Sequence, residues 1–185
     1  MKNSKKIFWA KPSIKEEEIS AITKVAKSNW MTQGSVTQQL EKNLCKKFNV
    51  KNAVVTNNGT SSLICALLAH GIKPGDEVLV PSFTFVSTVN SILSIGAKPV
   101  LVDSNSRTFN TEIKFLKQKM SKKTRAIMPV DVSGMPVDIS EMIEFADKNN
   151  LIMIEDAAEA IGAKYKNKKI GSFGHSTIFS FHMAK

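Results

Sequence analysis

Three short segments of the 185-residue chain carry residue types that could do chemistry, and each follows an apolar run. The first is Asn57-Asn58-Gly59-Thr60-Ser61-Ser62, ahead of a stretch with helical apolar spacing. Gly59 lets the backbone turn closely, while Thr60 and Ser61 offer hydroxyls and unpaired amides at the positive end of a helix, which is a natural seat for a phosphate. It is not a Walker loop, because no Gly-Lys-Ser/Thr follows, and it lacks the G-x-G-x-x-G spacing of dinucleotide sites. Alone, such a segment is more often a capped helix with an Asn-Gly turn. The second is Glu155-Asp156-Ala157-Ala158-Glu159-Ala160, where an apolar strand runs straight into acids. A carboxylate there is partly desolvated and demands a cation or a donor, although helix-capping acids are as common in that place. The third, Phe179-Ser180-Phe181-His182-Met183-Ala184-Lys185, ends in a lysine, by default a surface residue.

Together the three describe one site: a phosphate seat, a buried acid, and a lysine 29 residues after Asp156. Pyridoxal 5′-phosphate needs those three groups. Its aldehyde takes a lysine amine as a Schiff base, its pyridine nitrogen takes a carboxylate that keeps it protonated, and its phosphate takes amides and hydroxyls.

The elements that must position these residues alternate short β-branched runs with helical stretches, the pattern of a parallel α/β sheet. Strands are expected over residues 53–56, 77–81, 99–103, 126–132, 151–155 and 176–181, each of the first five followed by a helix or helix start. Helices are expected over 13–29 (capped by Ser13), from Val36 through Leu40 and Leu44 to Phe48, and over 61–70, 86–95, 110–120 and 139–149. Ligands of open parallel sheets bind beyond the carboxyl ends of the strands, where all three segments fall. Trp30 sits in a polar, glycine-containing connection between the first two helices, and Cys45 and Cys65 read as reduced core residues of amphipathic helices, with no disulfide or metal spacing.

Composition sets the class. With 42% hydrophobic and 23% charged residues, and no apolar run of about 18 residues, the chain has the make-up of a soluble globular protein that spans no membrane. The amino terminus has no signal-peptide apolar region, which predicts a cytoplasmic protein. The net charge of +10 invites a nucleic-acid reading, but its distribution opposes it: residues 1–50 hold +6, 51–159 hold −1 and 160–185 hold +5. Of 26 basic residues only Arg107 and Arg125 are arginine, the residue that base-edge readout favours. A solvated lysine-rich surface is the better account.

The chain also resembles the DegT/StrS-type sugar aminotransferases, which are fold-type I pyridoxal-phosphate enzymes. The resemblance covers nearly the whole chain: Trp30 to Gly34, Asn58-Gly59-Thr60, Gly75-Asp76-Glu77-Val78, Pro81-Ser82-Phe83-Thr84-Phe85, Pro129-Val130-Asp131 with Gly134 and Pro136, Ile154-Glu155-Asp156-Ala157-Ala158, Gly162-Ala163, Gly171-Ser172-Phe173-Gly174, and Phe179-Ser180-Phe181 ahead of Lys185. It implies a three-layer α/β/α fold with a mostly parallel sheet, arranged as an N-terminal helical segment (1–50) and a cofactor-binding α/β domain (51–185). It implies further that Lys185 forms the Schiff base and moves the proton, that Asp156 pairs with the pyridinium and that Phe85 stacks on the cofactor. Gly59, Thr60, Ser61 and Ser180 match the phosphate contacts. Glu159 matches a position near the phenolic oxygen where many members have glutamine or histidine and some, including perosamine-synthase-like ones, glutamate, which leans toward amination at C4 of a nucleotide-linked 4-keto-6-deoxy sugar. Asp131 and His175 stand where histidine and aspartate are frequent.

The activity implied is transfer of an amino group from an amino acid, glutamate by expectation, to a nucleotide-linked keto-deoxy sugar in surface-polysaccharide or deoxysugar biosynthesis, by a homodimer. Family members continue past the lysine, so the resemblance also implies a fold incomplete at its carboxyl end, with a gap beside the sixth strand and little turnover for these 185 residues alone. A noncatalytic or regulatory remnant of the fold and a lysine-rich nucleic-acid-binding module are the competing readings.

Overall fold

The computed structural model of the protein describes residues 12–183, so Lys185 lies outside the described residues. The helices are α1 (Glu16–Lys27), α2 (Ser35–Phe48), α3 (Gly59–Ala69), α4 (Val86–Ser94), α5 (Ile113–Lys119) and α6 (Ile139–Lys148). The strands are β1 (Glu77–Pro81), β2 (Lys98–Val102), β3 (Thr124–Ile127), β4 (Ile152–Asp156), a two-residue hairpin of β5 (Lys164–Tyr165) and β6 (Lys168–Lys169), and β7 (Ser176–Ile178). Five of them form one sheet in the order β2-β1-β3-β4-β7, and every neighbouring pair is parallel.

Side chains alternate across that sheet with period two, and both faces are covered, as a parallel sheet requires. Val78 and Val80 of β1, Ala126 of β3 and Ile154 of β4 pack with Leu63 and Leu67 of α3 and Ile92 of α4. Leu79, Ile127 and Met153 point the other way, against Leu116 of α5 and Ile139, Met142 and Phe145 of α6. The result is the α/β/α layering expected. Each fully buried residue of this size contributes about 1.5–3 kcal/mol of apolar transfer.

Several local expectations are corrected. Residues 53–56 make no strand: the Val55 N–H donates to Glu41 Oε1 at 3.0 Å, and Val54 is 77% exposed. A β-branched run supplies propensity, but a ladder needs a neighbouring edge, and between this stretch and residues 171–182 lies a cleft of ≈ 950 Å³. Among the described strands β7 pairs with β4 alone. No helix follows β4; the chain turns through Gly162 into the β5–β6 hairpin, whose Lys166 and Asn167 take φ of 45° and 67°, as a two-residue primed turn demands. The cap of α1 is Lys15, whose N–H donates to Glu18 Oε2 at 2.7 Å, in place of Ser13. Helix α1 buries none of its residues, and Ile19 and Ile22 are exposed. Cys65 is exposed and Cys45 half-buried, so neither is a core residue.

The helical N-terminal stretch is tied to the sheet by Phe48, which stacks on Phe179 with ring centroids 4.9 Å apart, and by Ser172 Oγ, which donates to the Phe48 carbonyl at 2.6 Å. Gly171 underlies this joint at φ +94°, where an added Cβ would sit 2.8 Å from the Phe179 ring and 3.1 Å from Phe48. Gly171→Ala is expected to destabilise the fold by about 3 kcal/mol, left-handed strain plus overpacking. The control is Gly71→Ala, with φ +73° and nothing within 4 Å, which carries the strain alone. Urea midpoints measure both; equal losses would remove the Phe48–Phe179 joint as the cause.

Candidate functional site

The carboxyl ends of β1, β4 and β7 open toward the amino terminus of α3. Asn58 caps that helix, its side-chain oxygen accepting from the Ser61 N–H at 2.8 Å, and the first amides of the helix have no carbonyl a turn earlier to bond. Thr60 Oγ1 donates to Ser87 Oγ of α4 at 2.9 Å, which fixes α3 against α4. The segment after β7 crosses this helix end: a Cβ on Gly59 would lie 3.7 Å from Ser180 Cβ. Gly59, Thr60, Ser61 and Ser180, which the sequence places up to 121 residues apart (180 − 59), are therefore neighbours, all of them half-buried.

Asp156 closes β4 and is only 5% exposed. Both its oxygens accept hydrogen bonds: Oδ2 from Thr88 Oγ1 at 2.7 Å and Oδ1 from the Ala158 N–H at 3.2 Å. Thr88 in turn shares a hydrogen bond of 2.8 Å with Thr84 Oγ1. Phe85 lies between the two threonines, ends its turn as the residue capping α4, and is 71% exposed. Its ring is thus displayed one helical turn from the Asp156 support. The Thr84–Thr88 chain went unnoticed in the sequence; threonines four residues apart at the start of a helix were the available signal.

Glu159 stands beyond the turn that follows Asp156. Its Oε2 accepts from the Ser133 N–H at 2.8 Å, and its backbone carbonyl closes against Gly134, where a Cβ would meet it at 3.1 Å. That carboxylate is engaged with the 3-10 turn Val132–Gly134, whose Ser133 has φ of 52°. The structure thus brings together Gly59, Thr60, Ser61, Phe85, Asp156 and Ser180, sets Glu159 on the adjoining turn, and leaves Lys185 outside the described residues. Trp30 is 63% exposed, its indole N–H donating to the Gln33 carbonyl at 3.0 Å. None of the described helices is long and apolar enough to cross a membrane.

The chain is 41% identical over 182 residues to GDP-perosamine synthase of Caulobacter vibrioides, covering 98% of the chain and 49% of that protein. It is 40% identical over 171 residues to GDP-perosamine synthase of Escherichia coli O157:H7, covering 92% and 47%. Among solved structures, the PMP-form of the putative sugar aminotransferase Spr1654 from Streptococcus pneumoniae superposes with a TM-score of 0.92 at 31% identity, over 97% of this chain and 49% of that one. The chain spans about half the length of the curated relatives it matches. Residues 12–185 match the sequence model of the DegT/DnrJ/EryC1/StrS aminotransferases, and the chain belongs to that family.

Proposed function

We propose that this chain supplies the cofactor-binding part of a pyridoxal-phosphate-dependent aminotransferase that moves an amino group from an amino acid to a nucleotide-linked keto-deoxy sugar. The observation that carries the reading is the buried Asp156, with both oxygens held by donors, beside a half-buried hydroxyl cluster at the α3 amino terminus. These residues fit the cofactor: an acid with fixed orientation for a ring nitrogen, and helix-terminal amides with the hydroxyls of Ser61 and Ser180 for a phosphate, the Thr60 hydroxyl being engaged with Ser87. When bound, pyridoxal 5′-phosphate supplies an electron sink through which an amino group passes from a donor acid to a carbonyl.

The chain's own residues divide the remaining work. Asp156 holds the ring-nitrogen proton; Thr60, Ser61 and Ser180 hold the phosphate; Phe85 covers one ring face. The Lys185 amine attaches the cofactor and moves the proton at the substrate carbon that bears the transferred nitrogen. Glutamate as donor, C4 of a 4-keto-6-deoxy sugar as acceptor, a homodimer and a cytoplasmic setting complete the proposal. The sugar assignment is supported by the Glu159 identity and by the two GDP-perosamine synthases, and the cofactor by relatives solved in PLP-form and PMP-form.

The test is a titration with pyridoxal 5′-phosphate followed by borohydride reduction and peptide mass mapping. An absorbance shift with Lys185 as the labelled residue is the expected result. No shift, or label spread over surface lysines, would defeat the reading.

A further inference from the structure

Three carboxyls meet where β3 and β4 end. Asp131 is 1% exposed, Glu155 0% and Asp156 5%. The backbone fixes their spacing: Val130 bridges Asp156 in parallel, and the Asp131 N–H donates to the Asp156 carbonyl at 3.1 Å. One oxygen of each member of the Asp131 and Glu155 pair has a donor, Val137 N–H to Asp131 Oδ1 at 3.0 Å and Thr177 Oγ1 to Glu155 Oε2 at 2.8 Å. The other two, Asp131 Oδ2 and Glu155 Oε1, are buried and have no hydrogen-bond partner among the described residues. The two carboxyls are close enough for each to influence the other's protonation. As two carboxylates they would oppose lone pairs and like charges away from water, which costs several kcal/mol. A single proton between them gives each orphaned oxygen its partner.

We propose that Asp131 and Glu155 share one proton, so that the pair carries a single negative charge and clamps the 132–137 loop to β4 while Asp156 remains the carboxylate facing the cofactor seat. The task given to Asp156 rests on the proposed function; the shared proton does not. Asp131 and Glu155 are positioning residues, acting through the loop and through Asp156.

The electrostatics agree with the geometry. Burial, and after it the charge of Asp131, pushes the Glu155 carboxyl up to about 8, against the opposing Thr177 hydrogen bond. Burial also raises Asp131, to about 6, opposed by the Val137 N–H and by Glu155 and assisted by Asp156. The groups on neighbouring elements are few. From β7 come Thr177 and, just before that strand, His175, whose Nδ1 accepts from the Met153 N–H at 3.1 Å. From α4 comes Thr88, already on Asp156, and Glu159 is held by Ser133. Helix α3 carries no acid or lysine, the charged residues of α6 (Glu141, Glu144, Asp147, Lys148) are exposed, and Arg125 of β3 is exposed toward Asp76.

A carboxyl raised in the folded state binds a proton that the unfolded chain has released. Its contribution to stability is therefore complete below about 4.5 and is lost as pH rises through about 8. The experiment compares urea midpoints of the cofactor-free chain between about pH 6 and about pH 9 with those of Glu155→Gln, whose amide supplies the shared hydrogen permanently. The parent is expected to lose midpoint across that range and E155Q to stay flat. Infrared spectra of the parent at neutral pH are expected to show the carbonyl stretch of a buried protonated carboxyl that shifts in D2O and is missing from E155Q and from Asp131→Asn. A parent without that band, a parent with no alkaline loss, or an E155Q with the parent's pH profile overturns the proposal. If E155Q does not fold, the parent's band and its loss in D131N decide. Because no cofactor is added, failure here is separate from failure of the pyridoxal-phosphate titration.

Discussion

In an intact aminotransferase built on these residues, the proposed function predicts that Asp156→Asn lowers kcat/KM for amino transfer on the order of 10³-fold, about 4 kcal/mol of transition-state stabilisation, and weakens cofactor binding in the same titration. Asparagine keeps the shape of the side chain and its place at the end of β4, so the fold and the Ala158 turn survive. It removes the charge that keeps a ring nitrogen protonated, and it offers an N–H where Asp156 Oδ2 now accepts from Thr88 Oγ1 at 2.7 Å. Thr88→Val separates these two contributions. The charge stays while the buttress and its link to Thr84 are lost, and an effect of about 10- to 100-fold is expected, the range usual for groups that orient a ligand from behind. An Asp156→Asn protein within about 10-fold of the parent would place the essential carboxylate elsewhere.

Much of the scaffold behind that prediction is legible in the sequence, because it depends on local pattern. Strands β1 to β4 and β7 follow in order from β-branched runs bounded by Gly and Pro, and the six described helices from three- and four-residue spacing. The capped start of α3 is legible for the same reason: Asn58 to Ser61 is a continuous cap-and-helix signal. What escaped is what the chain decides at long range. Residues 53–56 have strand propensity but lie across the cleft from β7, and the two-residue strands β5 and β6 are too short to show alternation. Thr88 reaches Asp156 across 68 residues and Ser133 reaches Glu159 across 26, contacts that no periodicity announces. Asp131 looked like a departure from a family pattern. In the structure it is the second half of a buried acid pair whose other member, Glu155, was visible only as an acid beside an acid. Contacts between the basic segments behave likewise: Lys169 Nζ donates to the Lys47 carbonyl at 3.1 Å, across 122 residues.

Lys185→Ala in the same intact enzyme is expected to produce the larger kinetic loss, on the order of 10⁵-fold in kcat, because under the proposed function it deletes both the attachment point and the group that shuttles the proton. Its signature differs from that of Asp156→Asn. The proposed phosphate seat of Gly59, Thr60, Ser61 and Ser180 and the acid at Asp156 are untouched, so noncovalent cofactor binding should persist, with the loss concentrated in kcat. Asp156→Asn, in contrast, should move binding and turnover together. Lys185→Arg sharpens the distinction: guanidinium preserves the positive charge but does not deprotonate in proteins, so an electrostatic role survives and a proton-transfer role does not. Arginine failing as completely as alanine, with partial rescue of the alanine variant by a small added amine, identifies the lysine as base and carrier. An alanine variant turning over within about 10-fold of the parent would show that proton transfer is performed by a different group, and the hydroxyls and carboxylates around β4 and β7 would then have to be tested in its place.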